Sequence, residues 1–257
     1  MTSEELYDRL TPIYPADGWW PSDSPFETAV GAVLVQGVSW RNAAQAVARL
    51  KERGLLDPQV LAQAPAEEVA DAVRPALYHH QKSSYLQALA LFLRRVNGMD
   101  ALRALPRAKQ RAALLSVRGI GEETAAAIMV YALGGAEPVV DAYARRLFLR
   151  TGAVGAASDE AVALAMRRVI RGNASRARAL HAAVVEHART ICRKSPRCSD
   201  CPIAINCPRI LGETCAGRWR NGRRAGSAAQ QVEIADRVGT PDAPFEGAGG
   251  PRTGSMG

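Results

Sequence analysis

The stretch "LLSVRGIGEETAAAIMVYAL", Leu114 to Leu133, decides how the chain is read. It scans as helix, tight turn, helix. Gly119 and Gly121 flank Ile120 in the turn, and glycine alone enters left-handed backbone without steric cost. In such a turn the backbone amides and the start of the next helix point outward at an anion, with the helix dipole behind them. Glu122 and Glu123 follow at once, two carboxylates at the mouth of an anion site. Alone, Gly-x-Gly between helices is a weak signal, because most such turns are merely turns. The two acids alone are simple partners for the positive helix end.

Outward from the hairpin the pattern stays helical. Ser24-Pro25 is an N-cap followed by proline at the first helical position, opening "FETAVGAVLVQG". Its apolar residues recur at i, i+3, i+4. "SWRNAAQAVARLKERG" starts at a serine cap and stops at Gly54. Asp57-Pro58 and Ala64-Pro65 open two short helices, and "HHQKSSYLQALALFLRRVNG" predicts a long one ending at Gly98. Further helices fit 107–117, 122–133, 141–151, 158–171 and 176–192. No run of period-two alternation competes, so the expected fold class is all-α, with short loops favouring compact bundles. From about Arg218 the composition turns to Gly, Pro, Ser and Arg without helical period. The expected division is therefore a folded unit over 1–217 and a flexible tail over 218–257, basic in its first part.

The net charge is +8 with a pI near 9.6, which points to a polyanionic partner, nucleic acid or an anionic surface. Lysine occurs only at Lys51, Lys82, Lys109 and Lys194. No apolar run reaches bilayer length, and "MTSEELYDRL" is too acidic for a signal peptide. The expectation is a soluble, cytoplasmic monomer with no membrane partner.

"CRKSPRCSDCPIAINC" places Cys192, Cys198, Cys201 and Cys207 as C-x5-C-x2-C-x5-C. Four soft thiolates within sixteen residues can close round one metal centre, zinc or iron–sulfur, and spacing alone does not choose. Arg193, Lys194 and Arg197 sit in its first loop, so a metal that pins the loop would present three cations to phosphate. Cys215 is left over. Asp141, in "VVDAYARRLF", is on its own most economically a helix N-cap.

The order "VRGIGEETA", "VVDAYARRL" and a four-Cys loop resembles the endonuclease III group of helix-hairpin-helix DNA glycosylases, over about residues 4–210. The resemblance implies a two-part helical bundle with a C-terminal [4Fe-4S] loop held by Cys192, Cys198, Cys201 and Cys207, zinc being the alternative. It implies that Arg118, Gly119 and Gly121 grip DNA backbone, that Gln36 wedges into the gap left by a flipped-out nucleotide, and that Asp141 is the catalytic carboxylate. The first Cys spacing is one residue shorter than in well-known members. The larger departure is Glu123, which stands where bifunctional members carry the lysine that forms a Schiff base. A carboxylate cannot do that, so strand cleavage should be weak or absent, and an ionised Asp141 should support hydrolysis that leaves an abasic site.

"GWWPSDSPFE" and "LVQGVSW" further resemble the endonuclease III-related 3-methyladenine glycosylases. Carried over, Trp19, Trp20, Pro21 and Trp40 line the base pocket with Glu123 at its edge. Cationic alkylated purines stack well on Trp faces and tolerate a nearby carboxylate. Departures are Leu77 at a usual glycine, and His79 and His80 at aromatic and amide positions. His181 and His187 read as helix-packing residues. The expected function is base-excision glycosylase action on damaged double-stranded DNA, with alkylated purines favoured. The alternatives are a glycosylase/lyase for oxidised pyrimidines and a non-catalytic binder of abasic or distorted DNA.

Overall fold

A computed structural model describes residues 1–208. The tail expected over 218–257 and Cys215 lie outside the described residues.

Twelve α-helices and no strand occur among the described residues. The first, α1 (Ser3–Leu10), opens on a reciprocal cap in which Thr2 and Glu5 satisfy each other's backbone amides. The chain then runs through α2 (Pro25–Leu34), α3 (Trp40–Glu52), α4 (Pro58–Gln63), α5 (Ala66–Ala72), α6 (His79–Arg95), α7 (Gly98–Ala104) and α8 (Arg107–Leu115). The hairpin leads into α9 (Glu122–Ala127), followed by α10 (Ala142–Arg150), α11 (Asp159–Ile170) and α12 (Ala174–Thr190). Ser24, Ser39, Asp57, Asp141, Ser158 and Asn173 each accept a first-turn amide. Short caps of this kind are worth about 1 kcal/mol each.

Two lobes result. α2 is apolar on every side, buried from Thr28 to Leu34, and packs on α3, α6 and α9. α1 leaves its sequence neighbours and packs on α11 and α12, which also hold α10. Leu6 and Leu10 anchor it there, and each buried leucine is worth about 2 kcal/mol. The first and last of these helices thus lie in one lobe, and the hairpin crosses from the other.

The expected helix through Gly98 stops earlier. Asn97 and Gly98 take φ of 61° and 90°, which breaks α6 at Arg95, and Gly98 opens α7 instead. The helix expected over 122–133 winds as α only to Ala127 and widens into a π turn over Ile128–Ala132. π turns recur at functional sites because they re-aim one side chain, and this one carries Tyr131.

Candidate active site

Gly119 has φ +87° and packs against the Tyr85 ring, so an added Cβ would meet Cγ of that ring at 2.1 Å. Gly121 differs: its φ is −93°, and the space around it is open. It caps α9 without any side-chain hydrogen bond. Gln36 crosses to this turn and donates from Nε2 to the Gly119 carbonyl at 2.9 Å and to Thr124 Oγ1 at 3.0 Å. Glu122 pairs with Arg111 of α8, so one of the two acids at the hairpin mouth is spoken for. Arg118 is exposed on the turn.

Asp141 caps α10 through Oδ1, which accepts from Ala144 N at 2.6 Å. It is only 7% exposed, and Oδ2 stands 3.6 Å from His181 Nε2. The cap thus occupies Oδ1, and Oδ2 is turned toward His181. Glu123 keeps surface open to the cleft, yet the walls crowd its carboxyl. That desolvation, with the Asp141 charge next, pushes its pKa up to about 7, and Arg145 works the other way.

The cleft, about 820 Å3, is lined by Gln36, Gly119, Gly121, Glu123, Val140 and Arg145 among others, and no lysine lines it. Lys82 is buried and donates to the carbonyls of Leu34, Gln36 and Ala76 at 2.6–2.8 Å. It thereby clamps the segment that carries Gln36.

The tryptophans lie beside this cleft rather than in its wall. Trp19 is buried, and its Nε1 donates to Glu186 at 3.0 Å. Trp20 stacks on Tyr131, with centroids 4.8 Å apart and a 31° tilt, and meets Trp40 nearly edge-on at 5.2 Å. Pro21 is exposed. At these separations no base fits between the rings, so one of them must turn to admit it. Tyr131 and Glu186 were not singled out in the sequence. Tyr131 needed knowledge of the π turn, and Glu186 looks like any acid on an amphipathic helix.

Cys192, Cys198, Cys201 and Cys207 form no disulfide and ring one small cavity, also lined by Leu147, His187, Ile191 and Ile203. Burial, and then the three other thiols, push the Cys201 pKa up. Among the described residues no group of three or more His, Cys, Asp or Glu is drawn together as round a single ion. Two arginines of α10 staple the loop. Arg146 donates to the carbonyls of Cys192 (3.0 Å) and Ala188 (2.8 Å), and Arg150 to those of Cys192, Arg193 and Lys194. Their i, i+4 spacing was visible in the sequence, and their target was not. Lys194 and Arg197 are exposed, while Arg193 is half-buried. His181 and His187 are both buried, but each has polar partners: Tyr14 Oη lies 3.2 Å from His187 Nδ1.

Fold and cleft together define an all-helical protein whose cleft is built round a glycine hairpin. The chain belongs to the HhH-GPD superfamily of base excision DNA repair proteins, whose family model matches residues 30–171. It is a DNA glycosylase acting on DNA. A protein of Methanocaldococcus jannaschii named as a DNA repair glycosylase is 31% identical over 212 residues, 79% of this chain and 94% of that one. A thymine-DNA glycosylase of Aeropyrum pernix is 27% identical over 218 residues, 79% and 93% of the two chains. Among solved structures, the fold matches an H. pylori 3-methyladenine DNA glycosylase bound to 1,N6-ethenoadenine, with TM-score 0.64 and 23% identity over 74% of this chain and 98% of that one. It also matches a non-covalent endonuclease III–DNA complex, with TM-score 0.69 and 23% identity over 87% and 100%. No helix among the described residues is long and apolar enough to cross a membrane.

Proposed function

We propose that the chain is a monofunctional glycosylase that hydrolyses the glycosidic bond of a flipped-out damaged base, an alkylated purine such as 3-methyladenine in the first instance. The observation that carries this reading is a cleft lined by Glu123 and by no lysine, with the buried Asp141 carboxylate close enough behind it to raise the Glu123 pKa. The bond from C1′ to the base nitrogen breaks, and Asp141 stabilises the cation left on the sugar. A water then attacks C1′ and gives up a proton toward Asp141. The products are the free base and an abasic site. Without an amine in reach of C1′ no Schiff base forms. The aromatic wall of Trp19, Trp20, Pro21 and Trp40 supports stacking of a cationic purine once a ring has turned aside. Arg118, Gly119, Gly121, Arg193, Lys194 and Arg197 serve phosphate, and Gln36 fills the gap in the duplex.

Endonuclease III-like proteins commonly carry a [4Fe-4S] cluster. Four thiols round one small cavity, none of them in a disulfide and with arginines fixing the loop, are a donor set that suits such a cluster better than scattered thiols would. Cys192, Cys198, Cys201 and Cys207 would hold it, and it would brace the basic loop against DNA. A monomer in the cytoplasm, associated with the nucleoid, fits this work.

A second reading has one observation behind it. A carboxyl pushed up to about 7 keeps its proton in a sizeable share of molecules at neutral pH, which helps a base that is not already cationic to depart. Mismatched thymine or uracil then becomes the substrate.

The test is a panel of duplexes carrying methylated purines, oxidised pyrimidines or thymine and uracil opposite guanine, scored for free base and for nicking. Free base without nicking or borohydride trapping is expected. Efficient trapping would establish a lyase, and tight binding without base release would leave a damage binder. Asp141→Asn should abolish base release while binding persists.

A further inference from the structure

His181 is 5% exposed inside α12, and both its ring nitrogens face polar atoms. Tyr131 Oη lies 2.9 Å from Nδ1, Asp141 Oδ2 lies 3.6 Å from Nε2, and the Trp19 ring closes one side at 5.4 Å. The chemistry of these neighbours decides where the imidazole proton sits. The Tyr131 hydroxyl can donate or accept and so fits either tautomer, whereas a carboxylate oxygen only accepts. The single-N–H tautomer that suits both neighbours therefore leaves Nδ1 to accept from Tyr131. That N–H sits on Nε2, aimed at the carboxylate. Oδ1 of Asp141 is already held by the α10 amide, so Nε2–H governs the remaining oxygen.

The structure assigns His181 to a positioning role in base hydrolysis: its Nε2–H, fixed by Tyr131, holds Oδ2 of Asp141 aimed and ionised while positive charge builds on the sugar. This rests on the reading of Asp141 as the group that meets that charge. The 3.6 Å separation is an electrostatic contact and longer than a hydrogen bond. Such contacts tighten when substrate fills the site. The serine-protease triad uses the same device, with a third group setting the tautomer of a histidine; here the histidine serves the carboxylate. The same Tyr131 ring stacks on Trp20, so the wall that would receive the base and the carboxylate are joined through one imidazole.

The test compares three variants under single-turnover conditions on methylated duplex DNA and on a thymine·guanine mismatch duplex. Affinity for a duplex with a tetrahydrofuran abasic analogue and the melting temperature are measured alongside. His181→Gln keeps an N–H donor at the ε position and should retain the rate within about threefold. His181→Phe keeps the ring shape without a donor and should lose about ten- to a hundredfold, as outer-shell partners commonly do, with affinity unchanged. Tyr131→Phe keeps the stack but releases the tautomer, and should lose about tenfold. It also decides the matter if His181→Phe fails to fold. A wild-type rate in His181→Phe or Tyr131→Phe overturns the assignment, as does an equal loss in His181→Gln and His181→Phe. Asp141→Asn separates the two levels. Undiminished base release there sinks the reading of Asp141 itself, whereas loss there with a wild-type rate in His181→Phe sinks only the role of His181.

Discussion

Gln36 reaches over the cleft and donates a 2.9 Å hydrogen bond to the carbonyl of Gly119 in the hairpin. Its amide also bonds Thr124, so the resting side chain is tied to the element that would grip phosphate. To enter a duplex it must give up both bonds, each worth about 1 kcal/mol net. Gln36→Ala removes the wedge and leaves Asp141 untouched. The expected outcome is a fall of about tenfold or more in single-turnover release from duplex, with release from the same lesion in single-stranded DNA unaltered. An equal loss on both substrates would remove Gln36 from base extrusion.

The two hairpin glycines should behave differently. Gly119 combines φ +87° with a Tyr85 ring where a Cβ would go, while Gly121 has ordinary φ and free space. Gly119→Ala must push the turn off α6, at a cost of about 2 to 3 kcal/mol, and Gly121→Ala should stay within about 0.5 kcal/mol. Urea denaturation midpoints decide this. Comparable destabilisation in both variants would contradict the packing described here.

Glu123 gives a pH signature. Its pKa in the fold, about 7, lies above the ordinary 4.5, so the folded protein binds more protons than the unfolded chain between those values. Ionised Glu123 therefore costs stability, with nothing lost below about pH 4.5 and the full cost present above about pH 7. Glu123→Gln cancels the cost. The melting-temperature difference, variant minus wild type, should be larger at pH 8 than at pH 5. A difference independent of pH would mean that Glu123 is freely solvated.

The sequence carried the class of this fold because its signals were local. Serine and aspartate caps, the Gly-x-Gly turn and the cysteine spacing are each read within a few residues, and they placed the hairpin, the Asp141 cap and the four-Cys loop. Two kinds of feature escaped. One depends on backbone winding: the π turn that aims Tyr131, and the left-handed Asn97-Gly98 step that ends α6 early. The other depends on contacts between distant segments. Trp19 meets Glu186 of α12, Lys82 gives its three hydrogen bonds to carbonyls of two other segments, and His181 was read as packing although its nitrogens face Tyr131 and Asp141. Periodicity shows that His181 faces inward but not what it faces.

The cysteine loop yields the last prediction. Its backbone is already fastened by Arg146 and Arg150, and neither the cleft lining nor the Asp141 cap includes a residue of the loop. Cys201→Ala should therefore remove the visible absorption of an iron–sulfur chromophore and lower the melting temperature. It should weaken DNA affinity through Lys194 and Arg197 and make binding less salt-dependent, because phosphate contacts set that slope. The single-turnover rate at saturating enzyme should stay within about threefold, since outer contacts that affect binding alone spare the chemical step. Iron and sulfide analysis of the purified protein accompanies it, with four of each per chain as the expectation for [4Fe-4S]. Zinc at one per chain without iron would assign the other metal. A lost chemical step with intact DNA affinity would mean that the loop shapes the catalytic cleft directly.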